Sequence, residues 1–106
     1  ELKGINGLSL PGEISGKRHN VHLFAVKLRQ RDALRHYLDR QGIGTAIHYP
    51  NPLPKTPAFF HAKPFPMAEE ISRTTLSLPL HPFLTDEEID FICGRVREFF
   101  ERTCKE

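Results

Sequence analysis

Six histidines, two cysteines and one serine–histidine–aspartate ordering are where this sequence could carry chemistry. A metal site needs several ligands converging at fixed distances. His19 and His22 are the closest histidine pair, and on a strand their spacing sends the two side chains to opposite faces. No third ligand follows at a matching spacing, so the histidines read as surface or partly buried side chains and no metal is expected. The segment Gly12-Glu13-Ile14-Ser15-Gly16-Lys17-Arg18 echoes a phosphate loop. Three residues separate its glycines where such a loop has four, Arg stands where a metal-binding Ser or Thr belongs, and it precedes a strand instead of following one. That excludes it. Ser77, His81 and Asp86 stand in the order of nucleophile, base and orienter, but no Gly-x-Ser-x-Gly elbow surrounds Ser77, which lies in an apolar strand. Their proximity reads as chance. His48 is different. It ends a short strand that runs straight into a proline-rich loop, and sites tend to be built from polar side chains in such places. The bland alternative is a histidine hydrogen-bonded at a strand terminus with nothing to bind.

A basic cluster of Lys27, Arg29, Arg31, Arg35 and Arg40, with Phe24 and Tyr37 nearby, has the residue types of an RNA-facing patch. Asp32 and Asp39 interrupt it, and the two aromatics fit a core better, so the cluster reads as a solvated face. The 15 basic and 13 acidic residues leave a formal charge of +2, well short of a nucleic-acid-binding signature. No nucleic-acid partner is expected. With 39% hydrophobic and 26% charged residues the composition is globular, and 106 residues make one domain with one core. There is no apolar run of about 18 residues to cross a membrane, and no leader pattern at the N-terminus. Cys93 and Cys104, in one C-terminal segment, would lie about 16 Å apart along a helix, too far to bridge. Free thiols fit a reduced, cytoplasmic protein. The chain begins at Glu1 rather than Met, which fits a fragment, a processed product or a trimmed piece.

These residues need elements to hold them. Residues 1–20, with Gly4, Gly7, Pro11, Gly12 and Gly16 and no apolar period, read as a lead-in arm, and 21–106 as the domain proper. Val21–Leu28 is the strongest strand, apolar on both parities and therefore expected at the sheet centre. Arg31–Gln41 carries Leu34, Tyr37 and Leu38 on one helical stripe, and Gly42 with Ile43 makes a Schellman stop. Thr45–Tyr49 follows as a short strand with Ala46 and His48 on one face. Strand, helix and strand at this spacing suggest a βαβ-like unit with a right-handed crossover. Six prolines from Pro50 to Pro66 forbid a regular element there, and so long a loop is functional or disordered. Pro66 opens a short helix over Met67–Arg73, and Thr74–Leu78 is a strand closed by Pro79. Thr85 caps the last helix, with Glu88 completing a capping box and Leu84 and Ile89 a hydrophobic staple. Ile89, Ile92, Cys93, Val96, Phe99 and Phe100 form its apolar face. The expected fold class is α+β, a small mixed sheet with helices mainly on one face.

Several short motifs occur in one order. They are His22-Leu23-Phe24, Arg31-Asp32, the run Gly42-Ile43-Gly44-Thr45-Ala46-Ile47-His48-Tyr49-Pro50, Pro57-Ala58-Phe59, Pro66-Met67-Ala68-Glu69, Ser77-Leu78-Pro79-Leu80-His81-Pro82 and Thr85-Asp86-Glu87-Glu88-Ile89. Together they resemble the C-terminal small domain of the DegT/DnrJ/StrS family of pyridoxal-phosphate-dependent sugar aminotransferases, over essentially the whole chain. The resemblance implies a domain like the small domain of a fold-type I aminotransferase, which closes the sugar-substrate side of the active site and contributes to a dimer. It implies that His48 and Tyr49 face cofactor and nucleotide sugar as substrate-binding residues in a full-length context, with the proline loop shaping the pocket. It also implies a partner, the large cofactor domain. That domain carries the lysine that holds pyridoxal phosphate, the aspartate at its pyridine nitrogen and the groups that hold its phosphate. No Lys here sits in the family's lysine motif, so no catalytic or cofactor-binding residue is expected in this chain, which should be inactive alone. The chain departs from the family pattern at Pro54, where relatives often have His after Pro-Leu, and in a shorter stretch over 59–66.

Three functions compete on these grounds. The first is an aminotransferase C-terminal domain, cut from a longer enzyme or encoded as a remnant. The second is a stand-alone α/β module for binding or dimerisation without catalysis. The third is a small basic RNA-binding domain. An adjoining cofactor domain upstream separates the first from the second, and the salt dependence of any nucleic-acid binding settles the third.

Overall fold

Leu38 and Gly42 decide where the first helix stops. The computed structural model describes residues 1–60 and 63–105; His61 and Ala62, inside the proline-rich loop, lie outside the described residues. Helix α1 spans Arg31–Arg40, with Leu34, Tyr37 and Leu38 buried on one stripe. Gly42 takes a φ of 78°, which only glycine adopts at low cost. The Ile43 amide then reaches back to the Leu38 carbonyl at 2.9 Å, and the Gly42 amide to the Asp39 carbonyl at 3.0 Å. Those are the two bonds of a Schellman stop, and they drop Ile43 into the core at 5% exposure.

The sheet is smaller than the sequence suggests. Strand β1 is Phe24–Lys27 and strand β2 is Thr75–Leu78, paired antiparallel with Phe24 opposite Leu78 and Val26 opposite Leu76. Single bridges extend it on both sides: Ser9 pairs with Lys27, and Ala46 with Ser77. The order across the sheet is therefore Ser9, β1, β2, Ala46. The α+β class is as expected, but each described pairing is antiparallel rather than mixed. Val21–Leu28 is a strand only from Phe24, because Val21 turns the chain with a φ of 46° and its amide is held by His19 Nδ1 at 2.8 Å. Val21 and Leu23 are consequently exposed, and the reading of a strand buried on both faces is corrected. Thr45–Tyr49 is reduced to one bridge, and it bonds to β2, not to β1. It runs parallel to β1 with β2 inserted between them, so the βαβ-like unit is split.

Helix α2 (Pro66–Thr74) starts on Pro66, whose missing amide is no loss at a first turn. Helix α3 (Asp86–Thr103) starts on Thr85, whose hydroxyl accepts from the Glu88 amide while the Thr85 amide donates to the Glu88 carboxylate at 2.9 Å. Its Ile92, Val96 and Phe99 are buried; Ile89, placed on the same face by periodicity, is exposed one turn from the helix start. Helix α1 packs on α3, with the Tyr37 and Phe99 rings 5.7 Å apart, and both share the core with Val26 and Leu76 of the sheet. Residues from the first ten also join it: Leu2 is buried, and Ile5, Leu8 and Leu10 pack against it.

Candidate functional site

The core takes Phe24, Val26, Leu76 and Leu78 from one face of the sheet, so Ala25, Ser77 and Ala46 are left on the other. They form a row of small side chains across three extended segments. His48, two residues beyond Ala46, shares this face. Ala25 and Ala46 offer only methyl groups, and the row's one hydroxyl is that of Ser77. His48 Nδ1 lies 2.9 Å from Ser77 Oγ. The imidazole is half-buried, while Ser77 is 4% exposed. Ser77 cannot shift along the sheet, because its amide and carbonyl are both bonded to Ala46, at 2.8 and 3.1 Å.

Tyr49 leaves the sheet. The His48–Tyr49 peptide is cis, the Tyr49 ring stands edge-on to the imidazole with centroids 5.3 Å apart, and Tyr49 is 69% exposed. The chain beyond it forms two single 3-10 turns, Leu53–Lys55 and Pro57–Phe59, each led by a proline-bearing first turn. The Thr56 hydroxyl ties back to the Leu53 carbonyl at 2.7 Å. Along this stretch Leu53, Phe59, Phe60 and Met67 are 66–74% exposed. An apolar groove of about 750 Å³ lies elsewhere, between the N-terminal segment, residues 79–84 and α3, lined in part by Leu10, Phe24, Leu84 and Cys93.

The other constellations weighed from the sequence do not assemble. Ser77 faces His48 instead of His81, whose Nδ1 accepts from the Phe83 amide at 3.2 Å. Gly12–Arg18 is exposed apart from its turn bond, Lys17 amide to Ile14 carbonyl. Among the described residues no group of three His, Cys, Asp or Glu side chains could hold a metal ion. Cys93 and Cys104 are both free, and burial pushes the Cys93 thiol up from its ordinary value.

Two residues escaped the sequence reading. Ser77 pairs with His48 where the sequence order offers His81, and Arg31 turns inward from the basic face that its neighbours form. Arg31 is buried at 9% exposure, and its Nη1 donates to the carbonyls of Ser72 at 3.1 Å and Thr75 at 3.0 Å. It clamps the junction of α2 and β2, two residues before Ser77. One signal was available: a cation at the first position of a helix opposes the helix dipole, so something else must hold it there. Where α1 meets α3, Tyr37 sits beside Glu98, itself paired with Arg95 at 2.7 Å and with Arg102. Burial first, and the Glu98 carboxylate second, push the Tyr37 hydroxyl above its ordinary value. The Tyr37 hydroxyl, more than Arg102 and Arg95, holds Glu98 below its own.

Comparison with known proteins finds relatives over nearly the whole chain. A dTDP-3-amino-3,4,6-trideoxy-alpha-D-glucose transaminase from Streptomyces venezuelae is 38% identical over 105 residues, covering 95% of this chain and 28% of that relative. A dTDP-3-amino-3,6-dideoxy-alpha-D-galactopyranose transaminase from Aneurinibacillus thermoaerophilus is 35% identical over 94 residues, covering 87% of this chain and 26% of its own length. Among solved structures, Streptomyces venezuelae DesV superposes with a TM-score of 0.89 at 38% identity, over 94% of this chain and 28% of that one. The aminotransferase TlmJ from Streptoalloteichus hindustanus superposes at 0.88 with 30% identity, over 96% and 28%. This chain thus spans 26–28% of the length of these relatives and aligns with one part of each. The profile of one family matches residues 1–97, nearly the whole sequence, and the chain belongs to the DegT/DnrJ/EryC1/StrS aminotransferase family.

Proposed function

We propose that residues 21–106 are the C-terminal small domain of a pyridoxal-phosphate-dependent nucleotide-sugar aminotransferase of the cytoplasm, with 1–20 leading into it, closing the sugar side of the active site. One observation carries the reading. The stretch that leaves His48 exposes Tyr49, Leu53, Phe59, Phe60 and Met67 at 66–74%. Apolar side chains concentrated this way mark a surface that another body covers. The partner is the cofactor domain of the same or a related chain, in an assembly that includes a second copy.

The residues present do not fit the cofactor itself. None of Lys3, Lys17, Lys27, Lys55, Lys63 and Lys105 stands in the motif that carries the family's cofactor lysine. Catalysis therefore belongs to the remainder of the enzyme, and this chain's contribution is to hold the sugar. His48 hydrogen-bonds a sugar hydroxyl or a phosphate, and the exposed Tyr49 ring packs beside the same ligand.

The test joins this chain to a matching cofactor domain and compares His48→Ala with the parent. We expect the specificity constant for the sugar to fall roughly tenfold, equivalent to about 1.4 kcal/mol, with cofactor absorbance unchanged. Parent-like kinetics would return His48 to a strand-end histidine without a ligand. A joined protein with no transamination at all would favour a non-catalytic binding or dimerisation module.

A further inference from the structure

We propose that Ser77 is the positioning residue for His48, its hydroxyl donating to Nδ1 so that the imidazole presents Nε2–H outward. The use of that donor rests on the reading of His48 as a sugar-holding group; the clamp itself does not.

The argument is one of hydrogen-bond accounting. Ser77 is 4% exposed, so its hydroxyl proton needs a protein acceptor. Its backbone amide and carbonyl are committed to Ala46. Its neighbours in the row, Ala25 and Ala46, carry no side-chain acceptor. Among the described residues the side-chain hydrogen-bond partner of Ser77 Oγ is His48 Nδ1, at 2.9 Å. A neutral imidazole has one bare and one protonated nitrogen, so a hydroxyl donating to Nδ1 places the proton on Nε2. The other arrangement, Nδ1–H donating to Oγ, leaves the serine proton buried without a partner, which is costly.

The experiment uses the 15N-labelled 106-residue chain with its histidine ring nitrogens recorded above the imidazole titration. We expect one form of His48 with the proton on Nε2, a bare Nδ1 shifted by an incoming hydrogen bond, and contacts from the ring to the Ser77 methylene. Ser77→Ala should lose the Nδ1 shift and the single ring orientation; Ser77→Thr, which keeps the hydroxyl and suits a strand, should restore both. A proton on Nδ1 in the parent chain overturns the proposal even if Ser77→Ala does not fold. Unchanged ring signals in a folded Ser77→Ala chain overturn it as well. These spectra need no enzymatic activity, so parent-like kinetics of His48→Ala in the joined enzyme, together with the expected spectra, reject the sugar-holding role and keep the clamp.

Discussion

Arg31 donates through Nη1 to the Thr75 carbonyl at 3.0 Å, tying the first residue of α1 to the first residue of β2 across 44 positions of sequence. The same nitrogen reaches the Ser72 carbonyl. One guanidinium thus satisfies two backbone acceptors at a junction where a helix ends and a strand begins without a connecting residue. Its ion pair with Asp32, which is 82% exposed, adds little by comparison.

Arg31→Ala should destabilise the fold by about 2–3 kcal/mol, since it removes two charge-assisted hydrogen bonds and strands two carbonyls. Arg31→Lys should recover only part of this, because an ammonium lacks the planar fork. Asp32→Ala should stay within about 0.5 kcal/mol. Urea midpoints check all three, and an Asp32 effect as large as that of Arg31 would mean the ion pair matters more than the carbonyls.

The Thr85 cap gives a second expectation. Thr85→Ala should cost about 1 kcal/mol, because the Glu88 amide loses its acceptor while the buried stripe of Ile92, Val96 and Phe99 is untouched. Thr85→Ser should be close to neutral. A denaturation midpoint unmoved by Thr85→Ala would place the start of α3 elsewhere.

Tyr37 and Glu98 make stability depend on pH at both ends of the range. Glu98 is held below its ordinary value of 4.5 in the fold, so its contribution is present above that pH and is lost as pH falls through the folded value. Tyr37 is raised above 10.0, so its contribution is present below that pH and is lost as pH rises through the folded value. Tyr37→Phe should flatten the alkaline limb and also weaken the acid limb, since the Tyr37 hydroxyl is the chief cause of the Glu98 shift. Denaturant midpoints measured across pH test this. Superimposable limbs in parent and Tyr37→Phe would rule out the coupling.

The exposed aromatics of the proline-rich stretch should bind a hydrophobic dye in the free chain. Replacing Phe59 and Phe60, 66% and 71% exposed, by Ser should lower that fluorescence severalfold without shifting the thermal midpoint, because neither side chain is part of the core. A fall in the midpoint would show that these rings stabilise the chain itself.

Where the sequence was legible, the reason is range. The end of α1 rests on Leu38, Gly42 and Ile43, and the start of α3 on Thr85 and Glu88. In each case the groups that bond are within five residues, so local stereochemistry decides the outcome whatever surrounds it. The α+β class and the apolar stripes of both helices, Ile89 excepted, follow from periodicity in the same way, and the ordered motifs pointed to the family. Tertiary structure alone decided the rest. Ser77 and His48 are 29 residues apart, Arg31 and Thr75 are 44, and no spacing rule links either pair. Whether Val21–Leu28 is a long central strand or a short one from Phe24 depends on which backbones come alongside, here β2 on one side and Ser9 on the other. An arginine looks the same in a sequence whether water or two carbonyls receive its protons. Only the packing of α1 against the α2–β2 junction determined that Arg31 faces inward, and only the antiparallel register of β2 set the Ser77 hydroxyl under the imidazole.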